Sequence, residues 1–192
     1  MSFIKLSKQH KQELLDIAEQ TLYYALESGR YITLTHRDFS VPLRIRGASF
    51  VTLYSQSQLR GCIGSLHPAR PLLEDVAHNA YAAGFRDPRF DPITAAEFHD
   101  IQIEISILSP LQPISFASER ELLEQIQPNT DGLLIQHGAR KATFLPQVWE
   151  SFPLKQDFLA QLKTKAGLNG ADCESMSCYR YTVDSFSTGA EF

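Results

Sequence analysis

Apolar residues between positions 8 and 28 recur at helical spacing: Leu14, Leu15, Ala18, Leu22, Ala25 and Leu26 share one side of a 3.6-residue turn. Gly29 stands where a C-cap requires a left-handed backbone. From 30 to 47 no period is sustained, and Pro42 argues against a central strand. Residues 48–54 are strand-like. The polar run Ser55–Gln58 reads as a turn, and Leu59 to Ser65 returns as the second arm of a hairpin. Pro71 to Gly84 predicts a helix, with Leu72, Leu73, Val76, Ala77, Ala80 and Ala83 as its apolar stripe and Pro71 in the first turn.

Asp87-Pro88 and Asp91-Pro92 then bracket a stiff loop, because each proline restricts the residue before it. Thr94 and Glu97 have capping-box spacing and predict a short helical turn. From His99 to Leu108 the period changes to two. Ile101, Ile103, Ile105 and Ile107 take one face and Gln102, Glu104 and Ser106 the other, which is the pattern of a half-buried strand. Ser118 and Glu121 repeat the capping-box spacing ahead of a two-turn helix ending near Pro128. Gly132–His137 and Lys141–Leu145 form a second hairpin around Gly138. Pro153–Ala166 predicts a helix with Gly167 as its cap, and Tyr179–Phe186 a final strand; the last six residues carry no pattern. The series hairpin, Pro-Leu, helix occurs at 48–84 and again at 132–167. In each copy an Asp lies four residues after the proline (Asp75, Asp157), so the chain reads either as a duplicated β-β-α unit or as a coincidence of short patterns.

Composition narrows the class. With 192 residues, 43% apolar and 21% charged, the chain has the make-up of one globular domain or two small lobes. Disordered, collagen-like and membrane-spanning classes are excluded. Eighteen basic against 22 acidic residues leave a net charge of −4, with no basic excess to suggest nucleic acid. The N-terminal stretch lacks the apolar core of a signal peptide and the cysteine number is odd, so a cytoplasmic protein with free thiols is expected.

The densest candidate chemistry lies in Leu59-Arg60-Gly61-Cys62-Ile63-Gly64. On a regular strand Arg60 and Cys62 share a face, and a guanidinium beside a thiol favours the thiolate. Gly61 and Gly64 clear space for a substrate or for another backbone. The stretch is therefore either a reactive cysteine in a groove or a buried cysteine in a tightly packed strand. His67 follows closely, as a base for Cys62 or as a solvated loop residue. Asp87, Arg89 and Phe90 form either a rim presenting Arg89 to an anion or a loop satisfied by its own Asp–Arg pairs. Glu104 is a general base if it faces a cleft, and otherwise belongs to a solvated sheet face. Cys173 and Cys178, with Cys62 and a histidine, make only a poor zinc set, because their spacing is looser than a knuckle and no second pair exists.

LRGCIG at 59–64, DPRF at 87–90, the strand IEISIL at 103–108 with Pro110, Asp131-Gly132, FLPQV at 144–148 and KAGL at 165–168 occur in an order that resembles the AMMECR domain family, called AmmeMemoRadiSam system protein A in prokaryotes. The resemblance covers about 7–186, as one AMMECR-like domain spanning 1–192. It implies an α+β fold of two lobes, with mixed or antiparallel sheets, flanking helices and an internal β-β-α duplication. It also implies radical-SAM and Memo-like partner proteins, but no reaction and no cofactor. It raises the weight of Arg60, Cys62 and the DPRF loop as site residues. Two functional classes follow: a cysteine-dependent enzyme using Cys62, Arg60, Glu104 and His67, or a non-catalytic module that docks a partner protein or small ligand in a groove lined by Gly61, Gly64, Asp87, Arg89 and Phe90.

Overall fold

The structure, a computed structural model, describes residues 5–34, 39–170 and 176–189. In chain order it contains α1 (Lys8–Ser28), β1 (Arg46–Gly47), β2 (Ser49–Ser55), β3 (Gln58–Gly64), β4 (Arg70–Pro71), α2 (Leu72–Phe85), α3 (Ala95–Phe98) and β5 (Ile101–Leu108). It continues with β6 (Gln112–Ile114), α4 (Glu119–Gln125), β7 (Gly132–His137), β8 (Arg140–Phe144), α5 (Lys155–Lys165), β9 (Ser177–Tyr181) and β10 (Val183–Ser187). The fold is α+β, and the chain divides into two compact units, 2–108 with 184–192 and 109–183.

In the first unit an antiparallel hairpin, β2–β3, forms one edge of a four-stranded sheet ordered β10-β5-β2-β3. The turn uses two residues, Gln56 and Ser57, both with positive φ. That is the backbone a tight hairpin requires, adopted here without glycine. Val51, Leu53, Ile103, Ile105 and Ile107 are buried in one core with Leu14, Leu22 and Val76 of α1 and α2. The apolar stripes read from the sequence are the buried faces of both helices, with Leu26 half-buried, while Pro71, expected in the first turn of its helix, precedes it, and the Ser7 cap was not read. Ser7 caps α1 by accepting from the His10 N–H, and Gly29 closes it at φ 67°. Pro71 is the N-cap of α2. Among the described residues of the unpatterned stretch around Pro42 there is a 3-10 turn, Val41–Arg44, with the proline in its first turn.

The second unit has its own core, with Trp149 stacked on Phe158 at a centroid distance of 3.7 Å. Its sheet is ordered β6-β9-β7-β8. In both units the first hairpin strand lies inside the sheet, the second lies at its edge, and the strand that follows the helix pairs antiparallel with the first. The fourth strand differs: β6 precedes its hairpin, whereas β10 comes last in the chain. The matched aspartates differ as well, since Asp75 is fully buried and Asp157 exposed.

One expected element is corrected. The strand predicted over 179–186 is two strands in different sheets, β9 and β10, broken at Thr182. There the Thr182 N–H donates to Ser109 Oγ and its carbonyl accepts from the Ser109 N–H. Alternation alone could not show this break, because residues on both sides of it keep a period of two.

Candidate functional site

The LRGCIG motif occupies β3, the edge strand of the first unit's sheet. Cys62 lies opposite Thr52 on β2, and Thr52 lies opposite Glu104 on β5. Residues directly opposite share a face, so Cys62, Thr52 and Glu104 form a row across the sheet side that faces away from α1 and α2. Thr52 Oγ1 donates to Cys62 Sγ at 3.3 Å. Thr52 thus stands between the two groups that the sequence suggested as nucleophile and base. Cys62 and Glu104 are half-buried, whereas Thr52 is 7% exposed.

Arg60 does not join this row. Leu59 pairs with Tyr54 and Gly61 with Leu53, which leaves Arg60 as the extra residue of a bulge. The bulge breaks the period of two that would have placed Arg60 beside Cys62. Its guanidinium instead binds Glu97 (Nε–Oε1 2.8 Å) and donates to the carbonyls of Asp91 and Pro92. Glu97 also accepts from the N–H and hydroxyl of Thr94, as the capping-box spacing predicts. The Arg60 hydrogen bonds, then those from Thr94, hold the Glu97 carboxyl down to about 2. His67 lies in the exposed loop after β3.

Asp87 and Arg89 of the DPRF loop meet Cys62 through its backbone. The Cys62 N–H donates to Asp87 Oδ2 at 2.9 Å, and Arg89 Nη2 donates to the Cys62 carbonyl at 3.1 Å. Asp87 also accepts from the Arg89 N–H, from Nε at 2.9 Å and from Nη2 at 2.6 Å. This side-chain pair replaces the neighbouring strand that the sheet edge lacks, and satisfies a donor and an acceptor that edge strands leave open. The Asp87 side chain is 1% exposed and that of Arg89 53%. Hydrogen bonds from Arg89, opposed by burial and helped by the Cys62 N–H, hold the Asp87 carboxyl far below the carboxylate range. The guanidinium that interacts electrostatically with Cys62 is therefore that of Arg89. It also lies 5.4 Å from the ring centroid of half-buried Phe90.

The glycines of the motif serve close packing. A Cβ on Gly61 would meet the Ala83 carbonyl oxygen of α2 at 2.2 Å, and one on Gly64 would meet the Phe50 ring at 2.2 Å. Ser106, expected on a solvated face, is 1% exposed and shares a hydrogen bond with Ser185.

Sequence reasoning missed a second polar cluster in this unit. Asp75 is fully buried and accepts from the N–H and hydroxyl of Ser49, from the Ser65 hydroxyl and from Asn79 Nδ2. Burial raises its pKa against those hydrogen bonds and the nearby Arg70. The available signal was position, since Asp75 and Asn79 fall one turn apart beside the apolar stripe of α2. In the second unit Asp131 is 3% exposed and accepts from the Gln127 N–H. Gly132 makes room for the Tyr181 ring, which a Cβ would meet at 2.5 Å.

Among the described residues no group of three or more His, Cys, Asp or Glu side chains is placed to hold a metal ion. Cys178 is buried in the core of the second unit, and Cys173 lies outside the described residues. No helix of the described residues is long and apolar enough to cross a membrane.

Comparison with known proteins agrees with the motifs. A protein of Methanothermobacter thermautotrophicus is 32% identical over 173 residues, covering 88% of each chain. One from Thermofilum pendens is 34% identical over 179 residues, covering 85% of this chain and 82% of its own. The crystal structure of an uncharacterized protein from Pyrococcus horikoshii superposes with a TM-score of 0.88 at 30% identity, covering 96% of this chain and 94% of the other. Residues 15–186 match the AMMECR1 family, and the chain belongs to it.

Proposed function

We propose that the chain is a non-catalytic binding module that docks a partner protein on the strand face and edge around Cys62, acting in the cytoplasm with radical-SAM and Memo-like proteins. The state of the ionisable groups at the motifs carries this reading. A general base needs a pKa near the working pH and a lone pair facing the reacting proton. Asp87 is held far below that range and its oxygens accept from Cys62 and Arg89. Glu97, at about 2, is bound to Arg60 and Thr94. Both are fixed anions that hold backbone and arginines in place, as a rigid presenting surface requires.

A second reading, thiol chemistry at Cys62, is favoured by one observation. The Thr52 hydroxyl donates to the sulfur and the Arg89 guanidinium lies within electrostatic reach of it, and such groups can hold charge on a nucleophile. The test is to measure binding of the purified Memo-like and radical-SAM proteins of the same organism. Wild type and Cys62→Ser are expected to bind alike, and Arg89→Ala to bind at least tenfold more weakly while still folded. Site-resolved alkylation of Cys62 against pH separates the readings. A rate midpoint well below the free-thiol value of about 8.5, together with loss of function in Cys62→Ser, overturns the docking reading in favour of catalysis.

A further inference from the structure

We propose that β8, the edge strand of the second unit's sheet, takes an extended acidic segment of a partner protein as an added strand. The hairpin closes at the pair His137–Arg140. Ladder hydrogen bonds alternate from there, so Arg140, Ala142 and Phe144 turn their backbone groups to β7, while Lys141 and Thr143 turn theirs outward. The outward carbonyl of Thr143 accepts from Lys165 Nζ at 3.0 Å. Among the described residues the N–H and carbonyl of Lys141 and the N–H of Thr143 have no partner. The edge therefore keeps two donors and an acceptor for the main chain of an added strand. On β3, by contrast, Asp87 and Arg89 occupy both backbone groups of Cys62.

Charge selects the occupant. No Asp or Glu occurs between Asp131 and Glu150, a stretch that holds His137, Arg140 and Lys141, all exposed. Among the described residues Lys141 makes no ion pair, and Arg140 donates to the Gly167 carbonyl at 2.9 Å with no carboxylate partner. Ala142 and Phe144 belong to the core, so alternation places Arg140 on the α5 side of the strand and Lys141 on the other. Lys165 lies 5.0 Å from the Phe144 ring centroid and adds a cation on the α5 side. Both faces of an added strand thus meet a cation, and opposite charges on neighbouring strands attract where like charges repel. A second copy of β8 laid edge to edge would bring its own Arg140 and Lys141 against these. The same charges therefore oppose self-pairing and favour an acidic segment.

Amide NMR of the full chain, titrated with a blocked octapeptide of alternating glutamate and valine, tests this. Saturable shifts at the Lys141 and Thr143 amides are expected, with slower hydrogen exchange at both. Two comparators should bind at least tenfold more weakly: the peptide with lysine in place of glutamate, and the peptide with N-methylated glutamates, which keeps the charge and loses the strand hydrogen bonds. Lys141→Glu, at an exposed position, should weaken the acidic peptide at least tenfold and strengthen the lysine peptide. Absence of saturable binding up to the solubility of the acidic peptide overturns the proposal. So does an N-methylated peptide that binds as tightly, or a set of shifts confined to residues outside β8. Protection of the Lys141 amide that grows with protein concentration in the absence of peptide overturns it in favour of a second copy on this edge.

Discussion

Replacing Asp87 by Asn separates the edge-strand plug from the rest of the motif. The side chain keeps its size, and one carboxylate oxygen becomes an NH2 group. In the wild type one oxygen, Oδ2, accepts from the Cys62 N–H and Arg89 Nη2, and Oδ1 accepts from the Arg89 N–H and Nε. Whichever way the amide turns, two donors on one side face another donor. Each hydrogen bond to a charged group contributes about 1.5–3 kcal/mol, and stranding one partner of a buried pair costs about 3–5 kcal/mol. Half of the pair is in solvent, since the Arg89 side chain is 53% exposed; screening therefore puts the expected loss nearer about 2–3 kcal/mol. For a chain of this length that lowers the melting temperature by about 4–12 °C. The more specific readout is hydrogen exchange at the Cys62 amide, whose acceptor is Asp87. Its protection should fall far more than that of Ile63, which pairs with Val51 inside the hairpin. A variant within about 0.5 kcal/mol of wild type, with the Cys62 amide still protected, would refute the plug.

Further substitutions test the remaining contacts. Gly61→Ala must push β3 off the Ala83 carbonyl and should destabilise by about 3 kcal/mol in urea unfolding, at the upper end of overpacking costs. Gly64→Ala collides with the Phe50 ring instead, so the double variant Gly64→Ala/Phe50→Ala should show favourable coupling in a double-mutant cycle. Gln56→Asn/Ser57→Gly places residues suited to positive φ in the hairpin turn and should stabilise by about 1 kcal/mol in the same assay. Acid titration of stability should show two opposed limbs. Asp75, with its pKa raised, binds its proton more tightly folded than unfolded. Its contribution is therefore full below the unfolded carboxyl value of about 3.9 and is lost as pH rises through the higher folded value. Glu97, lowered to about 2, contributes above the unfolded value of about 4.3 and loses that contribution as pH falls toward 2. Asp75→Asn should remove only the first limb and Arg60→Ala should shrink only the second.

The elements were legible wherever periodicity and capping agreed. Helix α1 with its Gly29 cap, the isoleucine strand β5 and the Thr94–Glu97 turn all lie where apolar spacing and cap chemistry predict them. The site was legible as a set of residues and not as an arrangement. Local spacing could not show that Arg60 occupies a bulge, since that depends on how β3 registers against Tyr54 and Leu53 of β2. Nor could it show that the partner of Arg60 is Glu97, 37 residues away, or that Asp87 reaches the Cys62 backbone from the far end of α2. Thr52, which contacts the Cys62 sulfur, carried no motif. Only the hairpin register brings it there.

That register dependence links the two motifs that follow helices. In the first unit the edge strand of the hairpin is β3, and the loop after α2 returns to fill its open backbone positions with Asp87 and Arg89. In the second unit the edge strand is β8, and the C-terminal end of α5 fills one of its backbone acceptors and is itself bound by a β8 side chain. Lys165 Nζ donates to the Thr143 carbonyl at 3.0 Å, and Arg140 of β8 donates to the Gly167 carbonyl at 2.9 Å. DPRF and KAGL share no sequence, yet DPRF just after α2 and KAGL at the end of α5 each bind the outer strand of their own hairpin. A free edge is a pairing hazard in any open sheet, and a hairpin followed by a helix that packs on its sheet brings the next loop back toward that edge. The physical problem is therefore repeated with the topology, while its solution differs: a buried carboxylate with a half-exposed guanidinium in one unit, exposed basic side chains in the other. Among the described residues, only the first solution carries a thiol beside it.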